Sequence, residues 1–144
     1  KKNQSEIYRI RLGDGKGSLD AHRFYEKDLL GENNTYVMTH QNSYAGQQWE
    51  LKNIKEDIFE IFQHDNRYGQ RGWKLTVDTH DRVIISPTKT RFGWRLIPKG
   101  DFFEIQDVSS EDTITMHKEE LVRDSGSNYC SAGKSGNLWS IEKF

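Results

Sequence analysis

The sequence predicts an all-β chain made of three copies of one four-stranded unit, each about 45 residues long. Trp49, Trp94 and Trp139 recur at an interval of 45 residues, twice in succession. Each Trp precedes an aliphatic residue by two positions, in Trp49-Glu50-Leu51, Trp94-Arg95-Leu96 and Trp139-Ser140-Ile141. An aromatic-x-Ile triplet opens each copy: Tyr8-Arg9-Ile10, Phe59-Glu60-Ile61 and Phe103-Glu104-Ile105. Alternate residues of a strand share a face, so each triplet sends two bulky side chains the same way. A fixed interval bounded by such pairs marks an internal repeat.

The elements follow in order. Unit one, about 6–53, has strand-like segments at 7–12, 18–25, 36–40 and 48–51. Gly13, Gly15 and Gly17 loosen its first connection, and 28–34 reads as a turn. Unit two, about 57–99, has strands at 58–62, 72–77, 82–86 and 94–97. Its first connection is the polar loop His64-Asp65-Asn66-Arg67-Tyr68-Gly69, and Asp78-Thr79-His80-Asp81 reads as a hairpin turn. Unit three, about 101–144, repeats the plan at 102–108, 113–117, 129–132 and 138–141. That makes about twelve strands in one domain spanning 1–144. Each unit alone would expose an apolar face, so the three must pack around a common axis with pseudo-three-fold symmetry. That is the β-trefoil plan. Propellers usually need four or more blades, so three units fit a trefoil better.

Composition agrees and narrows the function. Aromatic residues make up 12% of 144, there are only two prolines, and strong helical periodicity is missing. The formal net charge of −1 argues against a dedicated nucleic-acid binder, which needs a basic face. Arg67, Arg71 and Lys74 form a short basic run that reads as a solvated loop. Cys130 is the single cysteine, so no intrachain disulfide forms, which fits a cytoplasmic location or secretion without cross-links. No apolar run approaches the ~20 residues of a membrane span. Asn3-Gln4-Ser5 and Asn33-Asn34-Thr35 match the glycosylation sequon.

Gln47-Gln48-Trp49 is a Q-x-W triplet that resembles the repeat of ricin B-like lectins. Phe92-Gly93-Trp94 and Asn137-Leu138-Trp139 keep the Trp without the Gln. The strand Ile7-Tyr8-Arg9-Ile10-Arg11 is also similar to the first strand of units in fungal trefoil protease inhibitors. The lectin resemblance implies a sugar site made of an acid after the first strand, a stacking ring, and an Asn just before Q-x-W. Asp14, Asp65 and Asp107 are the acids at that place. The Asn position holds Gly46, Arg91 and Gly136, a departure that speaks against galactose specificity.

Only unit two follows its acid with a nearby pair of rings, Tyr68 and Trp73. His64, Asp65, Asn66, Arg67, Tyr68 and Trp73 are therefore the candidate ligand-binding residues. Carboxylate and amide groups suit hydroxyl recognition, while a ring buries the C–H face of a sugar. The bland alternatives are a solvated turn for 64–69 and core packing for Trp73. Tyr44, beside Asn42 and Ser43, is a lesser candidate.

Catalysis finds little support. The five histidines show no metal-ligand spacing with each other or with Cys130, so neither a metal nor another cofactor is expected. Gly13-Asp14-Gly15-Lys16-Gly17 lacks the helix that a phosphate-cradling loop requires. The reading is a non-enzymatic, lectin-like trefoil whose partners are glycans or glycoproteins. The alternative is a protease inhibitor whose protruding loop, 13–17 or 28–34, enters a protease cleft.

Overall fold

The computed structural model describes residues 6–21, 26–27, 33–41, 45–64, 69–88, 93–117 and 127–144. At 26–27, 33–34, 45, 115–117 and 127–129 it describes the backbone alone. The strands are β1 (Ile7–Leu12), β2 (Ser18–Asp20), β3 (Glu26–Lys27), β4 (Asn33–Tyr36) and β5 (Met38–His40), then β6 (Trp49–Lys55) and β7 (Ile58–Gln63). There follow β8 (Lys74–Val77), β9 (Val83–Ser86), β10 (Trp94–Lys99), β11 (Phe102–Asp107), β12 (Thr113–His117), β13 (Ser127–Gly133) and β14 (Trp139–Lys143). One 3-10 turn, Ala45–Gln47, is the only helical segment among the described residues. No helix among them is long and apolar enough to cross a membrane.

Six strands close a barrel. Antiparallel pairing runs β1–β6, β6–β7, β7–β10, β10–β11, β11–β14 and back from β14 to β1. The three long seams repeat one register, placing Trp49 opposite Gln63, Trp94 opposite Asp107 and Trp139 opposite Leu12. Each third of the chain adds a two-stranded pair, β2–β5, β8–β9 and β12–β13, over one end of the barrel. These pairs join each other through β5–β13, β4–β9 and the bridge between Arg82 and Ser131. The protein is a β-trefoil.

The repeat noticed in the sequence is the core. Ile10, Ile61 and Ile105 are buried, and so are Trp49, Trp94 and Trp139. Phe59 and Phe103 pack against that cluster from the barrel wall. Burying an indole of about 200 Å2 at about 25 cal/mol/Å2 contributes roughly 5 kcal/mol before entropy is subtracted. Trp49 donates its indole N–H to Leu19 O and Trp94 donates to Leu75 O, both at 2.9 Å. Trp139 breaks the pattern. The matching carbonyl, Ile114 O, accepts the Asn137 N–H at 3.0 Å, and the Trp139 Nε1 has no acceptor among the described residues.

Unit one departs from the expected strand list. The segment expected as a single strand over 36–40 is two, because Val37 leaves the ladder to bridge the other units. Its N–H donates to Val83 O at 2.9 Å and its C=O accepts from Cys130 N at 3.0 Å. The strand expected over 18–25 ends at Asp20. Ala21 instead donates its N–H to Gly46 O, and 22–25 lie outside the described residues. In the expected turn at 28–34, Asn33 and Asn34 belong to β4 and pair with β3. Fourteen strands result among the described residues, in place of about twelve. The predicted turn at 78–81 forms: Asp78 Oδ1 accepts the N–H groups of His80 and Arg82 at 2.8 and 2.9 Å.

Candidate functional site

The first connection of every unit is fastened to the last connection of the preceding one. Gly13 N–H donates to Leu138 O, His64 N–H to Gln48 O, and Val108 N–H to Gly93 O, at 2.8, 2.8 and 3.3 Å. Equivalent anchors carry unequal loops. The connections 13–17 and 108–112 have five residues each, whereas 64–73 has ten.

The two short connections use their acids to hold themselves. In unit one the Asp14 carboxylate accepts the Lys16 N–H at 2.8 Å, in a tight turn where Gly15 has φ +78°. In unit three Asp107 is buried and accepts the Ser110 hydroxyl at 2.8 Å and the Ser109 N–H at 3.3 Å. An acid committed to its own turn has fewer lone pairs for a ligand hydroxyl.

The long connection of unit two is tied outward. His64 is half-buried, and its Nδ1 lies 2.6 Å from Glu50 Oε2 on β6. At the far end Gln70 Nε2 donates to Thr35 Oγ1 at 2.6 Å, both residues being fully buried. Gly72 N–H and Trp73 O close the base on Gln63, at 2.8 and 2.9 Å. Trp73 is half-buried and packs against the core, so packing claims at least one side of its ring. Asp65, Asn66, Arg67 and Tyr68 lie outside the described residues, as do Asn42, Ser43 and Tyr44. Of the basic run, Lys74 is paired with Glu60 at 2.9 Å, and Arg71 is exposed.

Sequence reasoning missed Glu50, Gln70, Thr35 and Asp20. Glu50 was legible in principle, because the middle residue of Trp49-Glu50-Leu51 must face away from the core. The Gln of Q-x-W is occupied: Gln47 Nε2 donates to Asp20 Oδ2 at 2.8 Å, with both residues buried. The absent Asn also has a steric cause in unit three. A Cβ on Gly136 would stand 2.4 Å from both Ile114 O and Thr113 Oγ1. In the Asn33-Asn34-Thr35 sequon, the threonine hydroxyl is the buried acceptor of Gln70.

Nucleophilic and metal chemistry have no assembled centre among the described residues. Cys130 is buried, and desolvation pushes its thiol far above the ordinary cysteine range, keeping it protonated. No group of three His, Cys, Asp or Glu residues converges among the described residues.

Solved structures share the fold at low identity. The SDF2-like protein from Arabidopsis thaliana matches with TM-score 0.73 at 13% identity, over 95% of this chain and 92% of its own. The designed three-fold symmetric protein ThreeFoil matches with TM-score 0.68 at 16% identity, over 96% and 99%. SeviL, solved with asialo-GM1 saccharide bound, matches with TM-score 0.61 at 14% identity, over 97% and 98%. No family model matches the chain, and no curated protein does. Likeness at these identities establishes the trefoil and leaves function to the loops.

Proposed function

We propose that this protein is a non-enzymatic, carbohydrate-binding β-trefoil that recognises glycans or glycoproteins through the first connection of unit two. The observation that carries this reading is the difference among three equivalent loops. Units one and three have short connections whose acids serve their own turns, whereas unit two has one twice as long, rich in hydroxyl-binding groups. Within it Asp65 supplies a carboxylate for two sugar hydroxyls, Asn66 both a donor and an acceptor, and Tyr68 a ring with a polar tip. His64, Arg67 and Trp73 complete the set. SeviL, which shares this fold, is solved with asialo-GM1 saccharide bound, and that supports the reading at the level of the fold.

A glycan array run beside papain and trypsin inhibition assays tests it. Asp65→Ala should weaken glycan binding about tenfold or more with unchanged melting temperature, as loss of a charge-assisted bond of roughly 1.5–3 kcal/mol implies, and Tyr68→Ala should weaken it through loss of the ring and its polar tip. Cys130→Ser should retain binding in its folded fraction. Unchanged affinity in both loop variants would move the site to another unit. Protease inhibition without glycan binding would replace the reading with an inhibitor acting through 13–17 or 28–34.

A further inference from the structure

The outward face of β7 carries an aromatic ring where its counterparts carry polar side chains. Phe62 lies between the buried residues Ile61 and Gln63, so its side chain points outward, where it is half-buried. Strand register stands Glu50 opposite it on β6 and Lys74 opposite it on β8. Glu60 and His64 lie two residues before and after it, on the same outward face. Two contacts tie this frame together: His64 Nδ1 lies 2.6 Å from Glu50 Oε2, and Lys74 Nζ 2.9 Å from Glu60 Oε2. Each carboxylate spends one oxygen there and keeps the other without a partner among the described residues. Lys74 Nζ stands 6.0 Å from the Phe62 ring centroid, the outer limit of a cation–π contact, so it covers the ring only loosely.

The pseudo-three-fold repeat shows what the fold itself requires at this place. By the same register Arg11 and Gln106 stand in units one and three where Phe62 stands in unit two. Ser140 and Arg95 take the place of Glu50, and Ser18 and Thr113 that of Lys74. The barrel closes with a polar centre in both, and the Phe62 ring takes no part in the core cluster.

We infer that this patch is a pyranose-stacking subsite on the barrel wall, with Phe62 under the C–H face of one sugar and Glu50, Glu60 and Lys74 at its hydroxyls. The inference rests on the carbohydrate-binding reading above. A pyranose has an apolar face rimmed by hydroxyls, and the patch is its complement, an aromatic centre rimmed by two acceptors and a donor. Glu50 and Lys74 stand two strand spacings apart, about 10 Å, which frames a single ring. The two contacts hold both carboxylates in place before a ligand arrives, which lowers the ordering cost of binding.

Methyl glycosides of glucose, galactose, mannose and N-acetylglucosamine, titrated by proton NMR against the whole chain, test this. At least one should bind the parent with its ring C–H signals shifted upfield by the aromatic face. Phe62→Gln, which copies the equivalent position of unit three, should weaken that glycoside about tenfold with the fold unchanged. Phe62→Trp, which keeps an aromatic face, should restore both the affinity and the upfield shift. Should Phe62→Gln fail to fold, Phe62→Leu makes the same comparison with an apolar side chain that has no ring. Equal affinity in the parent and the ring-less variant would overturn the inference and leave the carbohydrate reading intact. An equal loss in Phe62→Gln and Phe62→Trp would also overturn it, since a packing role alone predicts that result. Binding of larger glycans but of none of the four glycosides would overturn the subsite alone, and binding of no glycan of any size would overturn both.

Discussion

Units two and three carry the same barrel strands in the same register, yet they close their loops by opposite means. Unit three turns inward: Asp107 caps the short first connection, and Gly136 brings the last connection against β12 so closely that Asn137 captures the Ile114 carbonyl. Unit two turns outward, spending His64 and Gln70 on bonds to unit one. The core positions tolerate no such freedom, since the Trp and Ile of every unit must fill a shared interior. A trefoil can therefore diverge in its connections while the barrel stays fixed.

The largest expected effect tests the shared part. Trp94→Ala should cost about 3–5 kcal/mol in a denaturant titration, because a buried indole leaves a cavity and an unpaired Leu75 carbonyl. A cost near zero would break the claim that the three Trp positions are one core. Next comes the close approach peculiar to unit three. Gly136→Ala should destabilise by about 1–3 kcal/mol, since its Cβ meets the Ile114 backbone oxygen at 2.4 Å. In unit two, Gly72→Ala meets open space and bears only the left-handed backbone penalty, about 1 kcal/mol at φ +83°.

Cys130 sharpens the comparison at one core site. By strand register it occupies in unit three the place that Val83 holds in unit two, and both are buried. Cys130→Val is thus a near volume-conserving change, expected to cost less than about 1.5 kcal/mol and to leave glycan binding intact. It should also alter the alkaline limb. With the folded thiol raised by burial, its contribution is fully present below about pH 8.5 and declines as the unfolded chain ionises above that value. The parent should lose stability relative to Cys130→Val above that pH and show no such divergence below it. Parallel melting curves at pH 7 and pH 10 would read this out.

The barrel was legible because its signal is repetitive. Three Trp at a constant interval of 45 residues, with an Ile in the opening strand of each unit, mark the buried faces directly. The cap was less legible. Val37 looks like any strand residue, and only the meeting of three hairpins shows why it leaves its own ladder to serve Val83 and Cys130. The site was half legible. The polar loop beginning at His64, of which Asp65 to Tyr68 lie outside the described residues, stood out by composition. Its supports did not, since Glu50, Thr35 and Gln70 lie 14 to 35 positions from their partners and share no local pattern. Gln47 was read as a lectin signature, yet its amide is bonded to buried Asp20.

A subtler contrast concerns the indole N–H. Trp94→Phe removes a hydrogen bond to Leu75 O, whereas Trp139→Phe removes a donor with no acceptor among the described residues. With ring size changed equally, Trp94→Phe should be the more costly by about 1 kcal/mol, the net worth of one buried hydrogen bond. Equal costs in urea titrations of the two variants would show that Trp139 finds a partner in solution.

The smallest structural effect is expected at Asp14, and it bears most directly on where the site lies. Asp14 and Asp107 both follow a first strand and both accept hydrogen bonds from their own turn, but Asp14 is exposed where Asp107 is buried. Water can replace the carboxylate at the Lys16 N–H, so Asp14→Ala should leave the melting temperature within about 2 °C of the parent. Asp107→Ala empties a buried position and strips the Ser109 N–H and the Ser110 hydroxyl of their acceptor, so it should be clearly destabilising. Glycan affinity separates the two units in a way stability does not. If unit two carries recognition, Asp14→Ala binds like the parent. A large loss of binding in that variant, with the fold unchanged, would place the site in unit one and dissolve the functional contrast drawn from the length of 64–73.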